Sequence, residues 1–172
     1  MNAAFIIAHE NFRDEEYAEP TRVLESNNIQ IVTASWDLGT ATGKLGLQVK
    51  VDTAINNIDS VNYNAVVFIG GAGSKKYWDN PIAHQIAVKT LNNKKVLAAI
   101  CSAPITLARA GVLRGKKATC FSGDKEELIK GGAIYTGNPV EQDGLIITAD
   151  GPDAASSFGL AIVKELGVRI KN

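Results

Sequence analysis

The chain has 172 residues, 45% hydrophobic and 21% charged, and its 18 lysines and arginines balance 18 aspartates and glutamates. That length predicts a single domain over residues 1–172, and zero formal charge removes any electrostatic case for nucleic acid or an anionic membrane. No apolar run approaches the roughly 18 residues of a spanning helix, and no basic segment precedes the first apolar run, so neither membrane anchor nor secretory signal is predicted. In chain order, residues 3–8 read as a first buried strand and residues 15–26 as a helix ended by Asn27-Asn28. Residues 29–34 read as a second strand, and residues 36–53, punctuated by Gly39, Gly43 and Gly46, as a hairpin or irregular strand. The uninterrupted apolar run 65–69 reads as a central strand, followed at once by Gly70-Gly71-Ala72-Gly73.

Asn80 as N-cap and Pro81 in the first turn start a helix running to about Asn92. Residues 96–100 form another buried strand, and a helix follows to near Gly111. Residues 117–121 read as a further strand, and 124–130 as a short helix stopped by Gly131-Gly132. Asp143-Gly144 between two extended runs signals a hairpin, and Gly151-Pro152 opens the last helix. Short apolar runs alternating with amphipathic segments predict a mostly parallel sheet covered by helices on both faces.

Two cysteines, Cys101 and Cys120, with no CxxC spacing make neither a disulfide framework nor a zinc site. The expected compartment is a reducing cytoplasm, with both thiols free. Cys101 stands at the seam between a buried strand and a helix, with small residues, Ala99 and Ala103, two positions to either side. That is the setting of a nucleophile elbow, and the helix N-terminus beyond it predicts a lowered thiol pKa. The plain alternative is a buried structural cysteine. Cys120 reads as a second buried thiol.

Gly70-Gly71 following a central strand is either a tight turn or a place where backbone N–H groups approach a bound oxyanion. It is not the dinucleotide fingerprint, and Gly39-Thr40-Ala41-Thr42-Gly43-Lys44-Leu45 departs from a phosphate-binding loop in glycine spacing and in Leu45, so no nucleotide cofactor and no metal are predicted. Asp14, Glu15 and Glu16 suit a helix N-terminus, yet the loop after the first strand opens on the same edge as Cys101. A carboxyl there activates a thiol only if it carries the proton itself. Of the two histidines, His9 lies near that edge as an accessory base, and His84 reads as a solvated helix residue.

Together these segments resemble the ThiJ/PfpI superfamily, which includes a protein deglycase, PfpI-type intracellular peptidases and type III glyoxalases. The resemblance rests on Phe12-x-Asp14-x-Glu16-x-x-x-Pro20, Phe68-Ile69-Gly70-Gly71, Ala99-Ile100-Cys101-Ser102-Ala103-Pro104, and Asp143-Gly144-Leu145-Ile146-Ile147-Thr148 with Gly151-Pro152. It implies a flavodoxin-like three-layer α/β sandwich and, most often, a homodimer. It implies Cys101 as nucleophile, Glu16 as the carboxyl on its sulfur, and the Gly71 and Ser102 N–H groups as an anion hole. Two departures stand out. Ser102 occupies the place where peptidase branches carry histidine. No histidine occurs some twenty residues after Cys101, where Thr119-Cys120-Phe121-Ser122 stands. The expected function is chemistry on small reactive carbonyls; the alternatives are an oxidation sensor using Cys101, and a cysteine peptidase or amidase using His9 or a residue of a partner subunit.

Overall fold

Successive side chains of a strand point to opposite faces, so an all-apolar strand needs cover on both sides of its sheet. The computed structural model, which describes residues 1–169, meets that need with a layer of helices on each face. The chain runs β1 (Asn2–Ile6), β2 (Glu10–Phe12), α1 (Asp14–Ser26), β3 (Gln30–Ser35), β4 (Gly39–Gly43), β5 (Gln48–Val51), β6 (Thr53–Ala54) and β7 (Ala65–Phe68). It continues through α2 (Pro81–Asn92), β8 (Val96–Ile100), α3 (Pro104–Arg109), β9 (Lys117–Ala118), α4 (Lys125–Lys130), β10 (Ile134–Tyr135), β11 (Val140–Asp143), β12 (Ile146–Ala149) and α5 (Ala155–Glu165).

Seven strands make one sheet in the order β11-β12-β8-β7-β1-β3-β6, antiparallel only between β11 and β12. Phe5, Val67 and Ala98 pack on one face with Val23 and Leu24 of α1 and Phe158 and Ile162 of α5. Their strand neighbours Ile6, Phe68 and Leu97 pack on the other with Ile86 of α2, Ile105 of α3 and Leu128 of α4. This is the flavodoxin-like three-layer sandwich expected from the sequence. Helices α1 and α5 approach so closely that a Cβ on Gly159 would stand 3.0 Å from the Cα of Pro20. Pro20 lies inside α1, and its missing N–H leaves the carbonyl of Glu16, four residues back, without its helical donor.

Asn80 caps α2 as expected, accepting from the Ile82 and Ala83 N–H groups at 2.9 and 3.0 Å. Residues 36–53 contain the β4–β5 hairpin, to which β2 adds as a third strand. Three expectations shift. The strand at 117–121 shrinks to β9, in a separate two-stranded sheet with β10, because the Thr119 N–H turns to the Thr148 hydroxyl at 2.9 Å. The β11–β12 turn sits one residue later than expected: Asp143 pairs with Ile146, and Gly144, at φ +59°, is the first loop residue. Asp143 instead ends its strand and accepts from the Lys117 N–H at 2.9 Å. Pro152 opens a tight turn through Ala154, and the regular helix begins only at Ala155.

Candidate active site

The C-terminal ends of β1, β7, β8 and β12 open on one edge, and Cys101 follows directly on β8. Its N–H donates to the Ala149 carbonyl at 2.9 Å, its carbonyl accepts from the Phe121 N–H at 2.8 Å, and its φ is +63°. A non-glycine residue held there stores roughly 1–3 kcal/mol of strain, which the two flanking hydrogen bonds hold in place. The fully buried Ala99 and the nearly buried Ala103 leave room for the bend.

The three consecutive carboxylates divide their work. Asp14 accepts from the Leu45 and Leu47 N–H groups at 3.0 and 2.8 Å and so ties α1 to the β4–β5 turn. Glu15 pairs with Arg13 at 2.7 Å, which lowers its pKa. Glu16 is 0% exposed. A Cβ on Gly70 would collide at once with Glu16 Oε2, the Ile100 carbonyl oxygen and Cys101 Cβ, so the acid and the cysteine converge over that bare backbone position. Neither Glu16 oxygen makes a hydrogen bond of normal distance and angle. The polar groups turned towards them are the Cys101 thiol and the Gly70 N–H.

Burial pushes the Glu16 carboxyl up to about 7, against the pull of the Cys101 thiol and the Gly70 N–H. Burial also pushes the Cys101 thiol up to about 12, and the charge of an ionised Glu16 adds to it, against the pull of the Gly71 N–H. The expectation of a thiol made acidic by a helix N-terminus is therefore corrected: exclusion of water and a neighbouring carboxylate raise it. The two groups titrate as a pair. When the pair holds one proton it rests on sulfur, the weaker acid of the two, and the Glu16 carboxylate is the group placed to accept it.

Cys101 is half-buried and lines a cavity of about 610 Å³ with Glu16, Gly71, Ser102, Arg13 and Phe121 among its walls. Among the described residues, neither the Gly71 nor the Ser102 N–H donates to a protein carbonyl. Gly71, at φ +102°, is pressed against the Asn11 carbonyl and the Arg13 N–H, where a side chain has no space. The Ser102 hydroxyl donates to Asp124 Oδ2 at 2.6 Å, and its carbonyl accepts from the Trp78 indole at 2.9 Å.

His9 is not among the cavity-lining residues; its ring meets the Leu38 carbonyl at 3.0 Å and lies beside Trp36. Its accessory role is corrected accordingly, because the chain turns into β2 after β1 and carries the imidazole with it. His84 is partly buried and bonded to the Trp78 carbonyl at 2.7 Å rather than solvated. Cys120 is fully buried, as expected. Sequence reasoning did not single out Arg13, Lys44, Lys75 and Asp124. The nearest signal was Lys44, in the glycine-rich segment set aside as a failed phosphate loop.

A model of the DJ-1/PfpI family matches residues 1–165. The chain belongs to the DJ-1/PfpI family. An uncharacterized protein of Methanocaldococcus jannaschii is 43% identical over 164 residues, 94% of this chain and 80% of the relative. A deglycase of Pyrococcus horikoshii is 35% identical over 84% of this chain and 86% of its own length. The crystal structure of a ThiJ/PfpI domain protein from Brachyspira murdochii superposes with a TM-score of 0.95 at 34% identity, covering 96% of each chain. Among the described residues no helix is long and apolar enough to cross a membrane.

Proposed function

We propose that this DJ-1/PfpI family member is a cysteine-dependent enzyme acting on small reactive carbonyls, in the manner of a glyoxalase or deglycase. The observation that carries the reading is the meeting of Cys101, at φ +63°, with the fully buried Glu16 over Gly70. Relatives named as deglycases, including those of Pyrococcus horikoshii and Pyrococcus furiosus, support it.

With methylglyoxal, the Cys101 proton passes to the Glu16 carboxylate as sulfur bonds to the aldehyde carbon. The C=O π pair moves to oxygen, where the Gly71 and Ser102 N–H groups hold it, and Glu16 returns the proton to give a hemithioacetal. Glu16 then removes the C1 proton. The electron pair moves onto the C2 carbonyl as an enediolate, and reprotonation at C2 yields a lactate thioester. Water cleaves the thioester, releasing lactate and restoring the thiol. No oxidant or reductant is consumed.

The raised Glu16 pKa suits this shuttle, because the carboxyl both accepts and donates near neutral pH. No histidine lines the cavity, which favours this reading over a peptidase that must protonate an amine leaving group. Assembly as a homodimer and a cytoplasmic setting, where both free thiols stay reduced, complete the proposal. Lactate formation from methylglyoxal by wild type, Cys101→Ala and Glu16→Gln tests it: loss in both variants is expected, and equal rates overturn it. Sedimentation analysis tests the dimer.

A further inference from the structure

The cavity wall around Cys101 combines cationic and apolar residues. The segments after β2, β4 and β7 supply Arg13, Lys44 and Lys75. The loop after β12 supplies Pro152, and the segment after β9, fastened to β12 through Thr119 and Thr148, supplies Phe121. Cations and apolar surface thus share the lining around the sulfur, and Lys75 reaches across to Asp124 on the segment that carries Phe121.

The counter-charges cancel the cationic residues only in part. Arg13 is paired with Glu15 at 2.7 Å. Lys75 reaches Asp124 Oδ1 only at 3.9 Å, and the other Asp124 oxygen already accepts from Ser102. Lys44 has no ion-pair partner among the described residues. Glu16 is the only carboxyl residue in the lining, so even when ionised it is a single negative charge against Lys44, Lys75 and Arg13. A neutral aldehyde needs no such field, whereas a concave, low-dielectric wall of one sign concentrates ligands of the other.

We propose that Lys44 and Lys75, backed by Arg13, recognise a carboxylate or phosphate on the carbonyl compound that Cys101 attacks, with Phe121 and Pro152 covering its carbon chain. This substrate class rests on the reading of Cys101 as the nucleophile, and its test is independent of turnover.

Iodoacetate and iodoacetamide carry the same reacting carbon and differ in charge. Their rates of Cys101 alkylation are measured by peptide mass spectrometry at low ionic strength, with glutathione as reference. Both reagents draw on the same thiolate population, so the rate ratio cancels any change in thiol pKa. The wild-type iodoacetate-to-iodoacetamide ratio is expected to exceed that of glutathione on the order of tenfold. It should collapse towards the glutathione value in Lys44→Ala/Lys75→Ala and in about 0.5 M salt. The charge-reversed Lys44→Glu/Lys75→Glu, altered only at exposed residues, should fall below it. A wild-type ratio equal to that of glutathione, or one indifferent to salt and to both variants, overturns the proposal. If methylglyoxal is converted while the ratio is ordinary, the anion preference falls alone. If the ratio is high and methylglyoxal is untouched, anion recognition stands and the carbonyl reading falls.

Discussion

The two thiols make an instructive pair. Burial raises both to about 12. Cys120 is sealed in the core, its thiol donating to the Phe121 carbonyl at 3.2 Å, with the charges of Asp124 and Asp150 adding to the rise. Cys101 is half-buried, opens on a cavity, sits at φ +63° and faces a carboxyl that holds a proton near neutrality. What separates them is therefore not resting acidity. On the proposed reading it is the presence of a partner able to take the proton at the moment sulfur bonds to something else.

The sharpest way to break that contrast is to remove each sulfur. Cys101→Ala should lower methylglyoxal conversion by at least about a thousandfold, while Cys120→Ala should keep it within about twofold. Equal losses in steady-state lactate assays would erase the distinction. Glu16→Gln comes next, with kcat down by about 10²- to 10³-fold. The same variant has a stability signature. Because the folded pKa of Glu16 is raised from 4.5 to about 7, its stabilising contribution is complete below pH 4.5 and is lost as pH rises through 7. Wild type should thus lose about 3 kcal/mol relative to Glu16→Gln over that window, read by urea denaturation.

Gly70→Ala should destabilise by about 2–3 kcal/mol in the same measurement, since its methyl meets Glu16, the Ile100 carbonyl and Cys101 together. Cys120→Ala should cost only about 1 kcal/mol. The smallest effect concerns oxidation. Mild peroxide followed by mass spectrometry should find sulfinate at Cys101 and an unmodified Cys120; the reverse order would exchange their roles.

Much of this architecture was readable from apolar rhythm. Residues 65–69 and 96–100 have no polar interruption and became central strands β7 and β8. The Asn80-Pro81 start was legible because capping is a local interaction. Choosing Glu16 over Asp14 and Glu15 was not local: all three suit a helix start, and family resemblance made the choice. The geometry then gave each a separate setting: backbone N–H groups for Asp14, Arg13 for Glu15, and burial beside Cys101 for Glu16. The raised Cys101 pKa was hidden because desolvation depends on what folds over the thiol, while the dipole argument saw only the next helix. His9 misled because it ends an apolar run, yet the following residues bend into β2. Lys44, Lys75 and Asp124 come from loops far apart in sequence, with no spacing rule to join them.

Pro20 carries a consequence of its own. A proline in α1 removes the rung beneath Glu16, the residue whose side chain has to stay dry. Pro20→Ala would restore that rung and make the helix a better helix. A bond that helices ordinarily keep is thus given up, at one ring of three methylenes, in the very turn that carries the acid.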